Sequence, residues 1–146
     1  MVRINLVNPK KLSDQHLIAE YNEILMLIEY IRKYPELKDI PKKYCLGKGH
    51  MKFFKDKLIY LKKRHEILKS EMKIRGFKAK KSINLSLFRK ENKGDWKPDK
   101  EDIDLITNRI ISKIQLKPNY YRYYGEYKPA SFFINLLKDN FVEKQA

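Results

Sequence analysis

Apolar residues recur every three to four positions in three long segments of the chain, and this spacing constrains the fold more than any other feature. Each segment is followed by a proline or a glycine, which ends a helix: 13–34 by Pro35, 50–75 by Gly76 and 99–117 by Pro118. Such spacing is typical of amphipathic helices that pack through their apolar faces. We therefore predict an all-α fold, a compact single-domain bundle of three main helices.

The apolar positions of the three helices define a predicted core. They are Leu17, Tyr21, Ile24, Ile28 and Ile31; Phe54, Leu58, Leu61, His65, Leu68 and Met72; and Ile103, Ile106, Ile110 and Ile114. Residues 77–97 lack periodicity and are predicted to form a long loop. A short fourth helix is predicted from about Ala130 to Phe141, and no strand is predicted.

The first six residues, MVRINL, alternate apolar and polar side chains. Val2, Ile4 and Leu6 are separated by Arg3 and Asn5. Leading residues usually fray unless something holds them. The alternation predicts that this N-terminal segment is held against the helices.

The chain is strongly basic, with 33 Lys and Arg against 18 Asp and Glu and a net charge of +15. An excess of this size favours an anionic partner: nucleic acid, an acidic membrane surface or an acidic protein. No apolar run approaches the ~20 residues that span a bilayer, and no signal peptide is recognisable. Cys45 is the single cysteine and cannot form an internal disulfide. We expect a cytoplasmic, non-secreted protein that binds nucleic acid and has no structural zinc site.

Residues 48–81 hold 13 Lys and Arg but only three acidic residues. Part of the excess lies on the face of the second predicted helix opposite its apolar stripe: Lys48, Lys52, Lys55, Lys62, Lys69 and Lys73. Most charged faces are merely solvated. The one-sided balance nevertheless predicts contacts with phosphates, which position a duplex without reading its sequence.

A tyrosine-rich segment, NYYRYYGEY, spans residues 119–127. Tyrosine and arginine faces can stack on unpaired bases, at about 1–3 kcal/mol per base. One or two of these rings are expected to pack in the core instead. The segment predicts contact with DNA by at least one of the others.

A possible catalytic group lies on the first helix. Glu23 follows His16 by seven residues, so both lie on nearly the same face, beside Ala19 and Met26. An ordinary surface glutamate is the alternative interpretation. No serine-nucleophile motif or phosphate loop is present. The α-amine, with an ordinary pKa of about 7.7–8.0 against about 10.4 for lysine, is therefore the most available nucleophile for imine formation.

Five blocks of sequence resemble the pyrimidine-dimer DNA glycosylase family. They are MVRINL (1–6), LSDQHLIAEYNE (12–23), LGKGHMKFFKDKLIYLKKR (46–64), RGF (75–77) and KPNYYRYYG (117–125). The resemblance covers most of residues 1–125 in order and is weak over 78–99. Residues 126–146 are interpreted as a C-terminal extension packed on the same domain.

The resemblance implies a compact α fold whose N-terminal segment threads between the helices. It implies that the α-amine of Val2, exposed once Met1 is removed, attacks C1′ of the damaged nucleotide and displaces the base. The resulting imine then drives β-elimination of the 3′ phosphate, and Glu23 is implied to be essential. No cofactor is required, and a form that retains Met1 is expected to be inactive.

The same resemblance assigns DNA contacts to individual positions, to which the basic helix face adds two lysines. The predicted DNA-binding residues are Arg3, Gln15, His16, Asn22, Met26, Lys48, Lys52, Tyr120, Tyr121, Arg122, Tyr123 and Tyr124. A bacteriophage member of the family has arginines where this chain has Asn22 and Met26. Their replacement is expected to weaken DNA binding or to alter the choice of lesion.

The leading hypothesis is a glycosylase and abasic-site lyase that acts, as a monomer without an obligate protein partner, on cyclobutane pyrimidine dimers in double-stranded DNA. One alternative keeps the lyase but changes the lesion to abasic sites or oxidised bases. Another is a non-catalytic basic DNA-binding protein on the same scaffold. A metal-dependent nuclease is disfavoured because the sequence has no clustered acids.

Overall fold

The computed structural model describes residues 2–139 and is mostly helical. Its helices are α1 (Asp14–Lys33), α2 (His50–Phe53), α3 (Leu58–Ile74), α4 (Lys100–Leu116) and α5 (Ala130–Leu137). Short 3-10 turns occupy Pro9–Lys11, Gly47–Gly49, Phe54–Asp56 and Lys90–Asn92. The prediction of an all-α fold is confirmed at the level of class. Among residues 2–139, no helix has the length and apolar character needed to cross a bilayer.

The starts of α1 and α4 follow the sequence signals. The Ser13 hydroxyl accepts a hydrogen bond from the His16 backbone N–H at 3.1 Å, which is an ordinary N-cap. Asp99 and Asp102 each accept a bond from the other's backbone N–H, at 2.9 and 3.0 Å. This reciprocal pair is a capping box, and both helix starts are confirmed.

The prediction of one continuous helix from His50 to Arg75 is wrong. Helix α2 ends at Phe53, a 3-10 turn spans Phe54–Asp56, Lys57 leaves helical geometry with φ -130 and ψ 39, and α3 begins at Leu58. Gly94 causes the interruption, because its N–H donates to the Asp56 carbonyl and its own carbonyl accepts from the Ile59 N–H, both at 3.0 Å. The break has no glycine or proline of its own, so its cause lies about 40 residues further along the chain.

The segment between α3 and α4 is irregular apart from one 3-10 turn, which confirms the predicted loop. The tyrosine-rich segment contains a small antiparallel hairpin that sequence analysis did not predict, β1 (Arg122–Tyr123) and β2 (Glu126–Tyr127). Helix α5 starts at Ala130 as predicted. The predicted end of this helix at Phe141 lies outside the described residues.

The core forms where α1 packs against α3, with α4 and α5 beside them. Nearly all predicted stripe residues are buried; Ile28 and Ile103 are half-buried, and Leu27 takes a buried place on α1. Burial of such side chains contributes about 1.5–3 kcal/mol each. The apolar stripes are therefore confirmed as the core.

The N-terminal segment is buried but is not a regular strand. Val2, Ile4 and Leu6 are at most 6% exposed, and Asn5 is also buried. The alternation fails because Leu6 has φ 57 and the Val7 N–H donates back to the Asn5 carbonyl at 2.5 Å. This tight turn places a non-glycine residue in the left-handed region, which costs energy and persists only where the surroundings enforce it.

Candidate active site and nucleic-acid interface

A cavity of about 350 Å³ lies between the N-terminal segment, α1 and α4. Its lining residues are Arg3, Asn5, His16, Ala19, Glu23, Arg109, Ile110 and Lys113. Glu23 lies in this cavity because α1 is buried along its Leu17–Ile24 stripe, which turns Ala19 and Glu23 toward α4 and the N-terminal segment. Three cations and one carboxylate therefore share one concave site.

Glu23 is joined to the start of the chain. Burial raises the pKa of Glu23 above its usual range, and the backbone N–H of Arg3, which lies against the carboxylate, opposes that rise. Val2 is bonded directly to Arg3, so a single peptide unit, with its Cα atoms about 3.8 Å apart, separates residue 2 from this contact.

The cavity carries a concentrated positive charge. Burial, and then the charge of Arg109, lower the pKa of Arg3, so the two guanidinium groups interact. Lys113 follows Arg109 by one helical turn on α4 and lines the same cavity. Like charges held this close favour an anionic ligand that neutralises them.

Sequence analysis missed Arg109 and Lys113. A signal existed, since each directly precedes a buried isoleucine of the α4 stripe, Ile110 and Ile114. A long side chain one residue before a buried position lies at the edge of the helix interface, where its charged group can reach a cleft. Nothing in the sequence said that α4 faces Glu23, so the pair could not be assigned to the site.

His16 lines the cavity and also supports the tyrosine-rich segment. Its ring stacks on Tyr121 with centroids 4.9 Å apart, and its Nδ1 lies 2.9 Å from the Ser13 hydroxyl oxygen. Burial, and then the charge of Lys113, lower the pKa of His16 to about 4. The ring is therefore neutral near pH 7, and its contact with DNA stays a prediction.

Gln15 holds the tyrosine-rich segment by both groups of its amide. Its Nε2 donates to the Tyr120 carbonyl and its Oε1 accepts from the Arg122 N–H, both at 3.0 Å. The neighbouring Asp14 carboxylate accepts from the N–H groups of Tyr124 and Gly125, at 3.1 and 2.8 Å. The start of α1 therefore fixes the segment's path, a role that sequence analysis did not give to Gln15.

The aromatic rings of the segment divide into anchored and exposed groups. Tyr121 is 9% exposed and belongs to the core. The Arg75 guanidinium lies 4.6 and 4.9 Å from the rings of Tyr123 and Tyr124, whose hydroxyls donate to the Lys10 carbonyl and the Glu71 carboxylate. These contacts fit the expectation that some of the rings are structural.

Tyr120, Arg122 and Tyr127 are exposed members of the segment, and Tyr124, although anchored by its hydroxyl, is also 44% exposed. Tyr120 is 50% exposed, and Lys117 Nζ lies 4.7 Å from its ring centroid. Arg122 is exposed at the hairpin, with its guanidinium 5.6 Å from the Tyr127 ring. The arrangement offers stacking faces and positive charge together.

The basic excess of residues 48–81 is partly buried in the structure, and the predicted basic face loses one of its six lysines, Lys55. Arg64 and Arg75 are buried in ion pairs with Glu20 and with Asp14 and Glu71. Lys55 is 6% exposed, and its Nζ donates to the Glu36 carbonyl at 3.4 Å. The placement of Lys55 on an exposed face is therefore wrong, because the turn at Phe54–Asp56 rotates it inward.

The remaining predicted DNA contacts lie away from the cavity lining. Lys48 is exposed in the turn before α2. Lys52 lines a second cleft of about 480 Å³ with Tyr30 and Tyr34. Asn22 and Met26 are exposed on α1 on either side of Glu23, Met26 by 57%. Among residues 2–139, no group of three or more His, Cys, Asp or Glu side chains is arranged to hold a metal ion.

A comparison with protein families matches residues 1–85 to the pyrimidine dimer DNA glycosylase model. The match covers more than half of the chain and includes the N-terminal segment, all of α1 and all of α3. It therefore includes Val2, Arg3 and Glu23, while Arg109, Lys113 and the tyrosine-rich segment lie beyond it. The chain belongs to the pyrimidine dimer DNA glycosylase family and is a DNA repair glycosylase.

Proposed function

We propose that the protein removes the damaged base from cyclobutane pyrimidine dimers and then cleaves the strand as an abasic-site lyase, through an imine formed by the α-amine of Val2. The observation that carries the proposal is that the Arg3 backbone N–H lies against the Glu23 carboxylate, in a cavity of about 350 Å³ that Arg3, Arg109 and Lys113 also line. In this proposal the N-terminal segment threads between the helices, so that the first amine after Met1 removal opens into the cavity.

The first half of the reaction replaces one bond at C1′ with another. The unprotonated Val2 amine attacks C1′, the glycosidic bond breaks, and the base leaves with its electron pair and takes up a proton. Loss of the amine proton and opening of the sugar ring, with a proton to O4′, then give the imine. An α-amine suits this step because its ordinary pKa of about 7.7–8.0 leaves a substantial fraction unprotonated near neutral pH.

The second half uses the imine as an electron sink. A base removes a proton from C2′, the C3′–O bond breaks, and the 3′ phosphate leaves with the bonding electrons. Water then hydrolyses the imine and releases the enzyme. Glu23 fits the proton transfers because burial raises its pKa toward the range in which a carboxyl group can both accept and donate. As a carboxylate it also stabilises positive charge that develops at C1′.

The cations around the cavity supply the affinity for DNA. Arg3, Arg109 and Lys113 face the same space and would hold the phosphates that flank the lesion. Tyr120 and Arg122 would contact the duplex at the edge of the site. Such phosphate contacts position the strand and make binding strongly dependent on salt.

The choice of lesion depends on the residues beside Glu23 on α1. Asn22 and Met26 flank Glu23 on the exposed face of α1, and neither supplies the charge that arginine would. A second candidate function therefore keeps the lyase chemistry and acts on abasic or oxidised sites. Incision of ultraviolet-irradiated, abasic and oxidised duplexes at one salt concentration would separate the two.

The C-terminal extension, residues 126–146, is proposed to belong to the same domain as residues 1–125. Phe133 and Leu137 of α5 are buried in the common core. Tyr121 and Phe133 also meet edge to face, with centroids 6.3 Å apart. We propose that this one-domain protein acts as a monomer.

The replacement Glu23→Gln tests the proposed chemistry. It keeps the size of the side chain but removes its charge, so incision of abasic duplex should fall at least about 100-fold, within the range of acid–base catalysis. Binding should persist, because the three cations remain. Glu29→Gln is the matched control, since Glu29 is exposed on the same helix and pairs with Arg32. Wild-type incision by Glu23→Gln would refute the role of Glu23.

A further inference from the structure

The backbone of Ile4 is held on both sides by side chains instead of by other backbone groups. The Tyr44 hydroxyl donates to the Ile4 carbonyl at 2.7 Å, and the Ile4 N–H donates to Nε2 of His50 at 2.9 Å. Ile4, Tyr44 and His50 are at most 4% exposed. Buried backbone groups must be paired. Here two side chains from one short segment pair the N–H and the carbonyl of Ile4.

The directions of its two hydrogen bonds fix the tautomer of the neutral His50 ring. Its Nδ1 lies 2.9 Å from the Cys45 carbonyl oxygen, which can only accept, so Nδ1 carries the proton. Nε2 therefore offers its lone pair to Ile4. Burial lowers the pKa of His50 to about 4, in keeping with this neutral form.

The segment that supplies Tyr44 and His50 is packed closely enough to act as a rigid support. A Cβ on Gly49 would lie 2.8 Å from Cys45 Sγ and 2.9 Å from Pro41 Cγ. Gly47 has φ 85, which favours glycine. The LGKGH block therefore has a structural explanation, because its glycines allow the turn that brings His50 under the N-terminal segment.

Ile4 is two residues from Val2, so at most about 7 Å of extended chain separates the held residue from the proposed nucleophile. Between them, the backbone N–H of Arg3 lies against the Glu23 carboxylate. A shift of about 1 Å in a reacting group can cost about 100-fold in rate. The position of the amine therefore depends on how firmly Ile4 is held.

We propose that Tyr44 and His50 are positioning residues that clamp the backbone of Ile4 and thereby aim the α-amine of Val2 at the sugar carbon above Glu23. This inference rests on the proposed function, because it assumes that the amine of residue 2 is the nucleophile. Neither side chain lines the cavity. Their loss should slow formation of the covalent adduct without weakening DNA binding.

The test measures the single-turnover rate of adduct formation on abasic duplex, trapped with borohydride, beside the affinity for the same duplex. Tyr44→Phe removes one hydroxyl and His50→Leu removes the acceptor for Ile4. Each should slow trapping at least about 10-fold while the Kd changes by less than about twofold. His50→Gln can still accept from Ile4 and donate to Cys45, and should recover most of the rate.

Tyr60→Phe is the matched control. Tyr60 belongs to the same aromatic cluster, with its ring centroid 5.0 Å from that of Trp96, but the side-chain hydrogen bonds of the Ile4 backbone go to Tyr44 and His50. Its variant should trap at the wild-type rate. If His50→Leu fails to fold, the conservative variant Tyr44→Phe still tests whether the hold on Ile4 sets the trapping rate.

Two outcomes would overturn the inference in different ways. Wild-type trapping rates in Tyr44→Phe and in folded His50→Leu, or an equal loss in Tyr60→Phe, would refute the clamp alone and leave the proposed function standing. If the wild-type protein, with Met1 removed, gives no adduct at residue 2, then the proposed function fails and the clamp fails with it.

Discussion

The buried ion pair between Glu20 and Arg64 gives the sharpest prediction about stability. Arg64 Nε and Nη2 donate to the two carboxylate oxygens of Glu20 at 2.8 and 2.9 Å, and Nη1 donates to the Val7 carbonyl at 2.6 Å. The side chains are 2% and 0% exposed. This pair joins α1, α3 and the N-terminal segment.

Removal of one partner should lower the free energy of unfolding by more than the intact pair contributes to it. Glu20→Leu leaves a guanidinium buried without its carboxylate, a change that typically costs about 3–5 kcal/mol. Arg64→Met leaves the carboxylate buried and also frees the Val7 carbonyl, so its cost should be similar. A domain of this size is stable by about 5–15 kcal/mol, so either single change should lower the unfolding midpoint substantially.

The double variant Glu20→Leu/Arg64→Met should be more stable than the sum of the single effects predicts. It removes both charges, so the remaining destabilisation comes chiefly from the unpaired Val7 carbonyl, which costs about 1–3 kcal/mol. Urea unfolding of the four proteins gives the coupling free energy, which we expect to exceed about 2 kcal/mol. Additive single effects, within about 0.5 kcal/mol, would refute the description of this pair as a coupled, desolvated unit. Glu29→Gln, in an exposed pair, should leave the midpoint unchanged.

Three further predictions concern the loop, the cavity and the response to acid. Gly94→Ala should destabilise the fold by about 1–3 kcal/mol in urea unfolding, because the new Cβ would lie 2.2 Å from the Asp56 carbonyl oxygen. Lys113→Ala should make the plot of log affinity against log salt concentration less steep by about 0.9, the value for one lost phosphate contact in B-DNA. An unchanged slope would show that Lys113 does not contact the DNA. Arg109→Ala tests the neighbouring cation in the same way. His16 has its pKa lowered to about 4, so the unfolded chain binds more protons between about pH 6.5 and 4 and stability should fall as the pH drops through that window. His16→Gln should show a weaker fall over this range in thermal unfolding at stepped pH.

The sequence was sufficient for the helices whose starts carry local signals and insufficient for α3, whose start carries none. Ser13 and Asp99 carry their own caps, so α1 and α4 start where predicted. The break before α3 depends on Gly94, which is remote in sequence, and no local pattern could reveal it. The same limit applies to Lys55, whose burial follows from that break.

The candidate site was predictable where one element or the family resemblance supplied the residues. The helix face made Glu23 a candidate beside the alternative of a surface glutamate, and the family resemblance supplied its role and that of Arg3. Arg109 and Lys113 needed the position of α4 across the cavity from Glu23, which a sequence does not state. Tyr121 was counted among the DNA contacts, but its burial against His16 and Phe133 could not be read from five similar tyrosines.

The most direct test of the account is the identity of the residue that becomes attached to DNA. Protein with Met1 removed, as verified by mass spectrometry, is incubated with abasic duplex and borohydride, and the adduct is digested and sequenced. The account predicts one covalent adduct on the amine of Val2, and none when that amine has been blocked beforehand. An adduct on a lysine, or efficient cleavage by the blocked protein, would contradict it.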